Sequence, residues 1–82
     1  MWFVYLLRSE MDTFYIGFAS DVDARLKAHN AGLNRSTRGR QWQLVYCEAY
    51  GSEKAARDRE RVLKNDGRSR RALMERVKRH LE

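Results

Sequence analysis

Two short runs rich in β-branched and aromatic residues open the chain, residues 2–7 (Trp2, Phe3, Val4, Tyr5, Leu6, Leu7) and residues 13–18. Only polar Ser9, Glu10, Met11 and Asp12 interrupt them. Runs of this length and composition, so closely spaced, predict an antiparallel β-hairpin with a loop of four or five residues. A helix is then predicted from Ser20, the expected N-cap, with Asp21 and Asp23 in its first turn. It runs to about Ala31 and stops at Gly32, a natural C′ residue. Residues 33–41 carry Asn, Ser, Thr, Gly and three arginines and read as an exposed loop. Gln41 to Tyr50 reads as a third strand, Glu53 to Lys64 as a second helix. A last helix is expected after Ser69, with Leu73, Val77 and Leu81 as its buried stripe.

The order β-β-α-β-α-α lacks the strand–helix alternation of a parallel sheet. It predicts an α+β domain in which a three-stranded antiparallel sheet is flanked by three helices. Eighty-two residues make one domain, residues 1–82, with a thin core. Trp2 is expected in that core, while Trp42 is open between core and base stacking. The apolar start lacks a basic lead-in and meets Arg8 and Glu10, so it reads as a strand and not as a signal peptide. No long uncharged apolar stretch offers a membrane span. The single cysteine, Cys47, excludes an intrachain disulfide and a Cys-based zinc site, and makes the cytoplasm the default location.

Charge narrows the partners. The chain carries +6, and arginine far outnumbers lysine. Between Ala24 and Cys47 there are five basic residues (Arg25, Lys27, Arg35, Arg38 and Arg40) and no acid; residues 51–82 add a further +5. Such an excess favours a polyanion, and the planar guanidinium fork matches phosphate oxygens. Nucleic acid is the favoured partner, a merely solvated surface the alternative.

A few polar residues fall where the pattern asks for apolar ones. Arg25 and His29, four apart, flank the Val22/Leu26 stripe of the first helix and project from one edge of its buried face. An arginine stem laid over the core beside a half-buried histidine would explain them equally well. In the second helix the inward face that runs from Ala56 to Leu63 passes through Glu60. A carboxylate there needs a cation, hydrogen bonds or a metal. An ion pair with Lys64 at i+4, or with Arg25, would satisfy it as well as a metal would. If the hairpin sets Tyr5 opposite Tyr15, both phenols share one sheet face, and Gly17 inside a strand suggests a close approach to the backbone.

Taken together, Val4-Tyr5, Tyr15-Ile16-Gly17, Arg25-Leu26-x-x-His29-Asn30 and Ala56-x-x-x-Glu60 resemble the GIY-YIG nuclease superfamily in order and spacing over essentially the whole chain. The chain is most similar to the small single-domain bacterial branch, predicted endonucleases related to the N-terminal domain of the DNA-repair excinuclease C subunit. The segments Arg35 to Arg40 and Leu44 to Tyr46 are also typical of that branch. The resemblance implies a sheet flanked by helices and hydrolysis of phosphodiester bonds with one divalent metal, Mg²⁺ or Mn²⁺. It implies that Glu60 holds the metal and that Arg25 stabilises charge on the scissile phosphate. Tyr5 would activate or orient the attacking water, Tyr15 position it or the phosphate, and His29 assist proton transfer. With no partner domain in view, Lys27, Arg35, Arg38, Arg40, Arg70 and Arg71 are the expected contacts to nucleic acid. DNA is favoured over RNA, with poor sequence discrimination.

The first motif lacks its glycine, being Phe3-Val4-Tyr5. Phe18 stands where repair-type members carry lysine. The asparagine that several members place after the metal glutamate has no match; that position falls near Ala72, and Asn65 comes too early. These departures keep two other functions open: a DNA- or RNA-binding module that retains the fold without cleavage, and a polyanion-associated small protein with a residual motif.

Overall fold

A computed structural model describes residues 1–81. Three strands, β1 (Trp2–Ser9), β2 (Phe14–Ala19) and β3 (Trp42–Tyr50), form one antiparallel sheet in the order β2-β1-β3. Three helices, α1 (Val22–Asn30), α2 (Glu53–Asn65) and α3 (Gly67–Leu81), complete the β-β-α-β-α-α fold expected from the sequence. No described helix is long and apolar enough to cross a membrane.

The central strand separates two clusters by simple alternation. Val4 and Leu6 point to one face, where Ile16, Ala56, Leu63, Leu73 and Val77 close over them from β2, α2 and α3. Tyr5 and Leu7 point to the other, against Ala19 and Trp42 with Val22 and Leu26 of α1. In β3 a bulge falls at Val45: Leu6 pairs with Tyr46, but Leu7 pairs with Leu44. The extra residue changes the parity of the strand. Trp42 and Leu44 thereby share the face of Tyr5, while Tyr46, Glu48 and Tyr50 share that of Val4.

Local chemistry sets the helix ends, with some shifts from expectation. Asp21, not Ser20, caps α1, its carboxylate accepting from the backbone N–H of Ala24 at 3.0 Å. Ser20 is a competent cap, but the next residue is equally so and stands three before Ala24. The helix ends as expected at Gly32, whose φ of +77° suits glycine. The N–H groups of Gly32 and Leu33 bond back to the carbonyls of His29 and Ala28, a Schellman closure. Ser52 caps α2 through Ala55. The last helix starts at Gly67, before Ser69, because Asp66 accepts from the Arg68 N–H and the Ser69 hydroxyl. Leu73 and Val77 are buried, but Leu81 is 43% exposed and leaves the expected stripe, lying one turn past the last core contact.

Trp2 packs partly buried beside the core, as expected. Trp42 is core as well: its ring is buried and its indole N–H donates to the Thr37 carbonyl at 2.9 Å, so it is no platform for a base. Asn30, the last residue of α1, fastens this corner. Its amide accepts from the Trp42 N–H at 2.6 Å and donates to the Trp42 carbonyl at 3.1 Å, imitating a neighbouring strand.

Candidate active site

Tyr5 stands in the middle of the sheet, 2% exposed, and burial is the main reason its phenol is pushed well above the ordinary tyrosine range. Its partner across β2 is Gly17 and not Tyr15, which pairs instead with Leu7. The hairpin is thus two residues out from the register that would oppose the two tyrosines. A shift of two preserves the face, so Tyr5 and Tyr15 still lie side by side, ring centroids 6.4 Å apart. Gly17 is what permits this. A Cβ there would collide with the Tyr5 hydroxyl oxygen, 2.6 Å from Cζ of the same ring and 3.1 Å from Cε2 of Tyr15. The phenol occupies the space of the missing side chain.

From α1, His29 meets the hydroxyl. Its Nε2 lies 2.9 Å from the Tyr5 oxygen and its Nδ1 2.7 Å from the Thr37 hydroxyl. Thr37 in turn donates to the Asn34 carbonyl at 3.4 Å. That acceptor orders the protons along the line: the Thr37 oxygen accepts from Nδ1–H, leaving the Nε2 lone pair to accept from Tyr5. His29 and Thr37 are both fully enclosed. Enclosure first, and then the Arg25 charge, lowers the His29 pKa and keeps the imidazole neutral. The Tyr15 ring stacks obliquely on it, centroids 4.8 Å apart.

Arg25 and Glu60 approach the same hydroxyl with opposite effects: the guanidinium favours the phenolate, while the carboxylate, like Tyr15, opposes it. Arg25 is exposed on α1, one turn before His29. Glu60 reaches in from α2, which runs along the edge strand β2; its side chain is 17% exposed. Lys64, one turn on, sits 3.4 Å from the Glu60 carboxylate and 5.4 Å from the centre of the Tyr15 ring. Tyr5, Tyr15 and His29 are therefore in direct contact, and Arg25 and Glu60 lie near enough for their charges to act on the Tyr5 hydroxyl. A concavity of about 530 Å³ lies elsewhere, at the hairpin turn, lined by Arg8, Glu10, Asp12 and Gln41.

The basic residues divide. Lys27, Arg35 and Arg71 are exposed. Arg38 and Arg40 are exposed too, but each also holds the loop: Arg38 donates to the Gly32 carbonyl at 3.1 Å, and Arg40 to the Thr13 hydroxyl at 3.1 Å. Arg70 caps the end of α2 through the Lys64 carbonyl at 2.8 Å. Thr37 and Lys64 complete the site without having been candidates. A threonine in a polar loop carries no periodic signal, and Lys64 showed only as an i+4 partner for Glu60.

The GIY-YIG catalytic domain matches the chain over residues 1–75. The chain belongs to the GIY-YIG nuclease family. Its relatives are small proteins. A UPF0213 protein of Haloquadratum walsbyi is 37% identical over 65 residues, covering 77% of this chain and 73% of its own. One from Streptococcus agalactiae is 34% identical over 80 residues, covering 95% and 89%. The solution structure of the UPF0213 protein from Bacillus halodurans superposes with a TM-score of 0.54 at 33% identity, over 92% of this chain and 84% of that one.

Proposed function

We propose that the chain is a divalent-metal-dependent endonuclease that hydrolyses phosphodiester bonds of nucleic acid, DNA in preference to RNA, with little sequence preference. The observation that carries this is the Tyr5 hydroxyl, hydrogen-bonded to a neutral His29 and acted on by the opposite charges of Arg25 and Glu60. Burial keeps Tyr5 protonated, so the phenol serves as a conduit and not as a preformed phenolate. As the attacking water gives its proton to the Tyr5 oxygen, Tyr5 gives its own to Nε2 of His29, and the water oxygen bonds to phosphorus while the ester P–O bond breaks. The leaving oxygen departs with the bonding pair and is protonated from solvent. Arg25 binds the phosphoryl oxygens whose charge grows in the transition state. Tyr15, more exposed, orients the phosphate or the water.

Glu60 would hold the metal. A single carboxylate, with no cluster of three or more His, Cys, Asp or Glu among the described residues, does not suit zinc. It does suit Mg²⁺ or Mn²⁺, hard ions that keep several waters and take further oxygens from substrate phosphates. Such an ion would supply charge stabilisation at the phosphate and the leaving oxygen. Lys27, Arg35, Arg38, Arg40 and Arg71 offer phosphate contacts around this edge and along α3, and such contacts hold a strand without reading it.

The Glu60–Lys64 ion pair favours the competing reading, a binding module without cleavage, because the carboxylate already has a cation. Incubation with plain duplex, nicked, branched and single-stranded DNA and with RNA, in Mg²⁺, Mn²⁺ or EDTA, separates the two. Cleavage is expected in metal only, with Glu60→Gln and Arg25→Ala each slower by roughly 10²–10³-fold, as for loss of one charge-stabilising group. Cleavage persisting in both variants would reject the site; binding without any wild-type cleavage would select the module.

A further inference from the structure

A second polar cluster lies on the sheet face opposite Tyr5. Glu48 of β3 accepts from the hydroxyls of Tyr46 at 2.6 Å and Tyr50 at 3.0 Å, and from Nε of Arg59 at 2.6 Å. Arg76 of α3 lies over the Tyr46 ring, 5.6 Å from its centre, and donates to the same hydroxyl at 3.1 Å. With Ser69 and Ala72, the two arginines line a cleft of about 240 Å³ between α2 and α3. Glu48 thus pairs with Arg59 alone, and Arg76 is joined to it only through the Tyr46 hydroxyl.

Arg76 is exposed and has no acidic partner within 4.0 Å among the described residues, so its charge is not neutralised by the fold. The helix that carries it has six Arg and Lys residues against the single acid Glu75. Two oriented forks beside a hydroxyl, in a basic field, form a receptor for phosphate oxygens.

We propose that the Arg59–Arg76 cleft is a second phosphate-binding site, which takes the backbone of another arm of a branched nucleic acid while the first arm lies at the Tyr5 edge. Tyr5 and Tyr46 stand on opposite faces of the sheet, with Glu60 and Arg59 adjacent on α2, in a molecule only 29 × 27 × 21 Å across. A straight duplex, itself about as wide as the protein, cannot follow both faces without bending, which costs several kcal/mol over a short site. Two arms meeting at a junction reach both faces unbent. The inference rests on the nucleic-acid reading for the identity of the polymer, and on the cleft alone for the phosphate.

The experiment is a binding titration in EDTA, where cleavage plays no part. Wild type and Arg76→Gln are compared on a three-way junction and on a linear duplex of equal length. The Arg59 Nε–H signal is followed by NMR as inorganic phosphate is added. Arg76 is exposed and Tyr46 keeps Glu48 when it is replaced, so the fold is expected to stand; an unchanged melting temperature checks this. Arg76→Gln should weaken the junction by about tenfold, the linear duplex by less than twofold, and lower the salt dependence for the junction by about one counterion. Phosphate should shift the Arg59 signal in wild type and not in the variant. Equal weakening of both nucleic acids, or of neither, would overturn the second-arm assignment. An Arg59 signal indifferent to phosphate would overturn the site. Failure of wild type to bind any nucleic acid would instead reject the function proposed above, a result read independently of the phosphate shift.

Discussion

Nε2 of His29 lies 2.9 Å from the Tyr5 hydroxyl, so a strand residue and a helix residue 24 positions apart share one proton. Replacing Tyr5 with Phe keeps the ring and removes the shared atom. Cleavage is expected to fall by about 10²–10⁴-fold, the usual worth of a positioned proton-transfer group. Binding to the same DNA in EDTA should stay within about twofold, since no phosphate contact of Arg25 or the loop is touched. A matched loss of binding would show Tyr5 to be structural.

The neutral state of His29 has a thermodynamic signature. Its folded pKa lies below the ordinary value of about 6.5, through burial and then Arg25. Between the two values the unfolded chain binds the proton and the native protein does not, so stability rises with pH across that window. The contribution is complete above about pH 6.5 and is lost as pH falls through the lowered folded value. Urea midpoints measured from pH 7.5 down to 4.5 should decline in wild type, with a shallower decline in His29→Gln. Parallel curves would remove His29 as the source.

Gly17→Ala tests the space that the phenol occupies. A Cβ placed against Cζ of Tyr5 forces the ring or the edge strand to move, costing about 1–3 kcal/mol as an overpacked site does. Urea unfolding should register that cost, and cleavage should drop further than Tm because the Tyr5–His29 distance changes first. Full activity in Gly17→Ala would mean that the ring position is not critical.

Asn30→Ala removes both bonds to the Trp42 backbone. Leaving a buried N–H and carbonyl unpaired costs about 1–3 kcal/mol. Tm is expected to drop by about 4–8 °C per kcal/mol lost in a domain of this size. Trp42 fluorescence should shift to the red as the indole loses its seat on Thr37.

The order of strands and helices was legible because each element is bounded by its own polar, glycine or capping residues. The site was legible only where chemistry conflicts with pattern. Glu60 on an apolar face drew notice; Thr37 did not, since its significance comes from His29 arriving beside it through tertiary folding. Hairpin register was left open by the sequence and differs by two residues from the one that opposes the tyrosines, yet they stand side by side, because alternation depends on parity and not on the exact partner. Trp42 could not be assigned from periodicity either, because the bulge at Val45 reverses the parity of β3 midway, a backbone irregularity with no side-chain mark.

The alternation of β1 also governs how such a protein can change over time. Val4 and Leu6 pack against α2 and α3 while Tyr5 faces His29, so substitutions can affect one face and spare the other. A drifting sequence can therefore lose catalysis and keep its shape, or trade core residues and stay competent. Insertion or deletion of one residue in this strand would exchange the two sets at a stroke, placing a leucine before His29 and a tyrosine in the apolar layer. A change in the length of β1 is therefore expected to be tolerated less well than a substitution at most of its positions.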